Sequence, residues 1–225
     1  MAREQSNSVA MSVRHIFDLA AQLTAVKRDI LLSPTHWEND SEHTLVTALI
    51  TWQIARKFAP EMNATEILAM GLVHELAETI TGDTSSFGLS EAELRAKKER
   101  DAAAVQEFAT KFRDCPRLVA KFLEYEDKVS AEARFVYWID KIMPMFSKYG
   151  AADAAHWSAP FDEIYEVDGV KQHGLNGNRE TVQAWYGKTR RKLLSVGEAP
   201  HPICEELLRQ NFIWLNWLVD SRQPV

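Results

Sequence analysis

Apolar positions recur along most of the chain at intervals of three and four residues, the period of helices packed on a core. Residues 12–26 form a first amphipathic stretch, followed by the irregular segment RDILLSPTHWEND around Pro34. Asp40 or Ser41 then starts a helix predicted to run to about Phe58, and Pro60 ends it. A second helix is predicted over 64–80, with Gly82 as its stop. The Lys-, Glu- and Arg-rich stretch 90–113 has the pattern of a solvated helix face. Pro116 divides it from a helix over 117–128, and RFVYWIDKIM lies in another at about 130–143. Residues 150–178, richer in Gly, Pro and His, read as a long loop before closing helices near 179–196 and 202–219. Alternating runs bounded by tight turns are missing, so the expected class is all-α.

Composition narrows the function classes. The 225 residues suit a single domain, and a hydrophobic content of 46% with 26% charged residues is ordinary for a globular chain. A formal charge of −6 argues against bulk DNA or RNA as the main partner, because backbone binding needs concentrated Lys and Arg. Only Cys115 and Cys204 occur, so no disulfide framework is expected. The polar opening MAREQSNSVAMS lacks the apolar core of a signal peptide, and FIWLNWLV is too short to span a bilayer. The expectation is a cytoplasmic protein with no membrane partner.

Chemistry concentrates in HELAETITGD, residues 74–83. On a helix, His74 and Glu78 stand one turn apart and Glu75 lies about 100° around. Leu68, Leu72, Val73, Leu76 and Ile80 cover the other directions, so the helix is buried, and buried ionisable groups need compensation. A divalent metal supplies it, whereas a His bonded within the core and Glu side chains reaching solvent would need none. The HExxH pattern of zinc proteases does not fit, because Glu78 stands where the second His belongs. Two other helices carry an ionisable residue on an apolar face: His43 aligned with Val46, Ile50 and Ile54, and Asp140 framed by Phe135, Val136, Ile139 and Met143.

The set His43, His74-Glu75 and Asp140 resembles the H…HD…D ligands of the HD-domain metal-dependent phosphohydrolases, and the chain is most similar to their 5'-deoxynucleotidase branch. ENDSEH (38–43), HELAETITGD (74–83), EYEDKVSAEARFVYWIDK (124–141) and Arg28 carry the resemblance, over about residues 14–150. It implies a helical HD bundle in one domain spanning 1–225, with additional C-terminal helices. It implies one divalent ion (Mn, Co, Mg or Zn) on His43, His74, Glu75 and Asp140, with Glu78 as the catalytic carboxylate and Asp83 as a further active-site acid. Arg28 would bind phosphate, with Lys141 an alternative cation, and Trp37 could stack a base. The implied substrate is a deoxyribonucleoside 5'-monophosphate and the implied assembly a homodimer. Three positions depart from the family pattern: Glu75 replaces the Asp of the HD dipeptide, Asp29 follows Arg28 where an aromatic residue is frequent, and TSSFGLS replaces a Pro-rich loop. No His lies between His74 and Asp140, which favours one metal over a di-iron centre. The rival expectations are a dNTP triphosphohydrolase and a degenerate HD module that binds nucleotide without turnover.

Overall fold

The computed structural model describes residues 2–33, 36–84, 89–144, 146, 164–167, 170–173 and 179–222. Helix α1 (Ala2–Ala25) leads into an antiparallel hairpin, β1 (Lys27–Ser33) and β2 (His36–Asn39), and then α2 (Asp40–Phe58). Helix α3 (Ala64–Val73), the short α4 (Glu78–Thr81), α5 (Glu91–Lys111), α6 (Pro116–Asp127) and α7 (Ala131–Ile142) complete the bundle. A second hairpin, β3 (Ile164–Val167) and β4 (Val170–His173), precedes α8 (Arg179–Leu194) and α9 (Pro202–Arg222). The fold is all-α with two small hairpins, and none of the described helices is long and apolar enough to cross a membrane. Cys115 and Cys204 are both free.

Local sequence explains most helix starts. The Asn39 side chain accepts from the N–H groups of Ser41 and Glu42 while Glu42 returns to the Asn39 N–H, a capping box one residue earlier than the Asp40 or Ser41 start expected. Ser90 and Glu93 repeat the device on α5, and Pro116 opens α6 where its missing N–H costs nothing. Helix α7 starts at Ser130 and ends just before Pro144.

Three expectations are corrected. The irregular segment after α1 is a hairpin. Its inward positions include Arg28 beside Ile30, so a buried charge broke the apolar alternation that marks a strand. Within the expected loop, residues 164–167 and 170–173 form the other hairpin, while the remainder of 150–178 lies outside the described residues. Helix α2 packs its small face inward: Thr44, Thr47, Ala48, Thr51 and Ala55 are buried with His43, while Val46 is exposed. Gly71 of α3 is the reason, since a Cβ there would lie 2.7 Å from the Ala48 Cα. So close a crossing admits only small residues between α2 and α3, and it sets the distance between His43 and the end of α3.

A candidate metal centre at the end of helix α3

The predicted helix 64–80 is not continuous. After Val73 the backbone closes tight turns, with the Leu76 N–H on Val73 O (3.3 Å), the Glu78 N–H on Glu75 O (3.0 Å) and the Ile80 N–H on Ala77 O (3.0 Å). No Gly or Pro forces the break. Side chains compete for the backbone instead: His74 Nδ1–H donates to Gly71 O at 2.8 Å, and Thr79 Oγ1 donates to Leu76 O at 2.7 Å. The tightened turn swings Glu75 toward His74, which an unbroken helix would have held about 100° away.

His43 from α2, His74 and Glu75 from this turn, and Asp140 from the last turn of α7 meet there, all buried, with one ligand atom from each within 4.8 Å of the others. His43 Nε2 lies 3.0 Å from Asp140 Oδ1 and 3.3 Å from Glu75 Oε1, and His74 Nε2 lies 3.5 Å from Glu75 Oε1 and 3.9 Å from Asp140 Oδ1. Ligands ~2.1 Å from a common ion sit about 3–4 Å from one another, so the spacing fits a divalent cation. The tautomers fit as well. A carbonyl only accepts, so His74 Nδ1 carries the proton and Nε2 carries a lone pair. That Nε2 is buried without a hydrogen-bond partner. Burial keeps the ring's pKa below its usual value, and so keeps it neutral as a ligand must be. Around His43, burial and Arg28 work against protonation, but hydrogen bonds that the ring donates to Asp140, Glu38 and Glu75 outweigh them and raise its pKa well above the usual value. The cluster calls for positive charge at this point.

Outer residues hold each ligand. Glu38 of β2 places Oε2 3.5 Å from His43 Nδ1, which leaves Nε2 to face the cluster. Arg28 of β1 is 8% exposed, and its Nη1 donates to Glu75 Oε1 (2.9 Å) and Asp40 Oδ1 (3.1 Å) while Nε lies 3.2 Å from Glu38 Oε2. Burial raises the Glu75 pKa, but Arg28 and His74 overcome this and hold it well below the usual range. Glu75 therefore reaches both the ligand cluster and Arg28, which is what its extra methylene over Asp provides. Lys141 Nζ sits 2.5 Å from Asp140 Oδ2 and, against the upward push of burial, keeps that carboxyl ionised. Asp40 has no such surplus of cations: burial and Glu75 push its pKa up to about 7 despite Arg28.

Glu78 is brought to the same place without joining the ligands. Its Oε2 is buried, has no hydrogen-bond partner and lies 3.9 Å from Arg28 Nη1. Burial first, then Glu75, Asp83 and Asp40, raise its pKa well above the usual carboxylate value, which favours its protonated form. Asp83, half-exposed beyond Gly82, acts on Arg28 and Glu78 through its charge. Lys141 lines a cavity of about 160 Å³ with His74, Glu75, Glu78 and Asp140. Trp37, half-buried in β2 opposite Leu31, is not among the described residues lining it. Residues 85–88 of the TSSFGLS loop and His156 lie outside the described residues. Sequence reasoning missed Glu38 and Asp40 as supports, since acids beside a helix start are routine complements to its dipole.

A family model described as HD domain matches residues 20–178, which include Arg28, the four clustered residues and Glu78. A 5'-deoxynucleotidase of Klebsiella pneumoniae is 34% identical over 77 residues, or 32% of this chain and 39% of that protein. 5'-deoxynucleotidase YfbR of Salmonella arizonae is 32% identical over 77 residues, with the same coverage of each chain. The chain thus matches about 39% of the length of these curated relatives. A crystal structure from Magnetospirillum magnetotacticum, described as a predicted metal-dependent phosphohydrolase, shares the fold at a TM-score of 0.57 and 19% identity, over 95% of this chain and 94% of that one. With the family match running from α1 past the last clustered residue on α7, the chain belongs to the HD-domain family.

Proposed function

We propose that the protein is a metal-dependent phosphohydrolase that cleaves phosphate from deoxyribonucleoside 5'-monophosphates. One observation carries this reading: a buried His-His-Glu-Asp cluster with an unpartnered imidazole nitrogen opens onto a cavity that Glu78 also lines, its buried Oε2 without a hydrogen-bond partner. The 5'-deoxynucleotidase relatives support the substrate class over the part they share with this chain. A divalent ion on His43, His74, Glu75 and Asp140 would polarise the phosphorus–oxygen bonds and acidify a water. Water adds to phosphorus as the bond to the 5'-oxygen breaks; Glu78 donates its proton to that leaving oxygen and recovers the proton the water gives up, while Arg28 holds Glu75 in place through their 2.9 Å contact. A cavity of about 160 Å³ is below the ~300–1,000 Å³ of whole-ligand pockets, so it takes the phosphoryl end and leaves the base outside. That size favours a monophosphate over a triphosphate. Phosphate release from a panel of nucleoside mono- and triphosphates with Mn, Co, Mg or Zn is the test. Release from deoxyribonucleoside monophosphates is expected, and no release with any of the four metals would refute the proposal.

We further infer a homodimer through the outward face of α2. Leu45, Leu49 and Trp52, at helical spacing, are 56%, 51% and 38% exposed, and Leu72 of α3 adds 49%. Light scattering should give about twice the chain's 25.6 kDa, and Leu49→Lys should halve that mass. A wild-type protein that scatters as a monomer refutes it.

A further inference from the structure

The cavity has a second wall that no ligand of the cluster explains. Lys97 of α5, Lys128 at the end of α6 and Lys141 of α7 come to it from three separate helices, beside His74, Glu78 and Asp140. Arg28, the cation to which the family resemblance assigns phosphate, is engaged by Glu75, Asp40 and Glu38.

Lys128 stands out by its backbone. Among the described residues it is the only non-glycine with positive φ (50°), in the left-handed conformation that ends a helix best when occupied by Gly. A lysine held there is strained, and such strain persists where the surroundings fix the residue for a use. Its ammonium lies 4.3 Å from the Tyr125 ring centre and 5.4 Å from that of Tyr137, and Lys141 Nζ lies 5.4 Å from the same Tyr137 ring. The two lysines therefore flank one tyrosine at the cavity wall. Each already has a partner: Lys128 donates to Glu126 O at 3.1 Å with the Glu126 carboxylate 3.8 Å away, Lys97 pairs with the half-exposed Asp101 at 2.8 Å, and Lys141 pairs with Asp140 at 2.5 Å. An ammonium has three donors, and a solvated i,i+4 ion pair exchanges its carboxylate for phosphate at little cost.

We propose that Lys128, with Lys97 and Lys141, forms a subsite beside the metal ligands that binds the non-bridging oxygens of the substrate's phosphate. The assignment rests on the phosphohydrolase reading for its substrate, but the binding of phosphate by these lysines does not require turnover. It adds cations from α5, α6 and α7 to the Arg28 of the hairpin.

Lys128→Gly is the decisive variant, because glycine suits the left-handed backbone and the fold should melt no lower than the wild type. Calorimetric titration with inorganic phosphate, with and without Mn²⁺, is expected to show about tenfold weaker binding in Lys128→Gly, the loss of one charge-assisted hydrogen bond. Lys97→Ala should give a smaller loss. With a nucleoside monophosphate as substrate, KM should rise by a similar factor while kcat stays within about twofold. Equal phosphate affinity in wild type and Lys128→Gly, or no phosphate binding by the wild type, overturns the subsite even if the protein hydrolyses nucleotides. Lysine-dependent phosphate binding in a protein that releases no phosphate from any nucleotide upholds the subsite and refutes the hydrolase reading instead.

Discussion

Replacing His74 with alanine will remove divalent-metal binding and phosphate release together. The side chain brings the only cluster nitrogen that is both buried and without a hydrogen-bond partner among the described residues, with its tautomer fixed by Gly71 O. Changes merely to the residues behind a ligand weaken metal affinity by about 10–100-fold, so loss of the ligand itself should exceed that range. The readout need not be activity. An ion that binds only the folded state at about a hundredfold its Kd adds about 2.7 kcal/mol of stability. Thermal unfolding of the wild type with Mn²⁺ should therefore shift upward, and the His74→Ala variant should show no shift. The variant will also be less stable without metal, by about 1 kcal/mol, because the buried Gly71 carbonyl loses its side-chain donor. A metal-dependent shift that survives in His74→Ala would remove this residue from the ligand set.

Glu78→Gln should behave in the opposite way, retaining the metal-dependent thermal shift and losing about 10²–10⁴ in kcat. Glutamine keeps the size and burial of the side chain but has no acidic proton to give. The sign of the pH dependence follows from the raised pKa. Protonated Glu78 is the active form, so wild-type turnover should be full below that pKa and fall as pH rises through it. The residual activity of Glu78→Gln should lack that falling limb. Turnover that stays flat in the wild type as pH rises, or a Gln variant with undiminished rate, would assign the proton to another group.

Helix positions and the four clustered residues were legible because both leave periodic marks. His43 and Asp140 stood out as ionisable groups on helices otherwise made for burial, and the structure brings them together from 97 positions apart. What the sequence hid were features decided by tertiary contact. The break after Val73 has no Gly or Pro to announce it and arises from side chains that take backbone carbonyls. The inward face of α2 was misjudged because a single close approach, Gly71 on Ala48, outweighed the larger apolar residues on the other side. Arg28 was legible as a candidate but its surroundings were not, since nothing local marks Glu38, Asp40 and Glu75 as its neighbours.

The distances in sequence that the centre spans also bear on how the chain folds. Arg28 meets Glu75 across 47 positions and His43 meets Asp140 across 97, so no hairpin or helix pair contains the centre by itself. Loops of that length must close before Arg28 meets Glu75 or His43 meets Asp140. The packing of α2 and α3 against α7 is what brings these distant groups within reach of one another. The centre is thus a clasp between the N-terminal hairpin and α7. A cation bound there would tie together segments that are far apart in the chain, so its release would loosen the clasp and not any single helix.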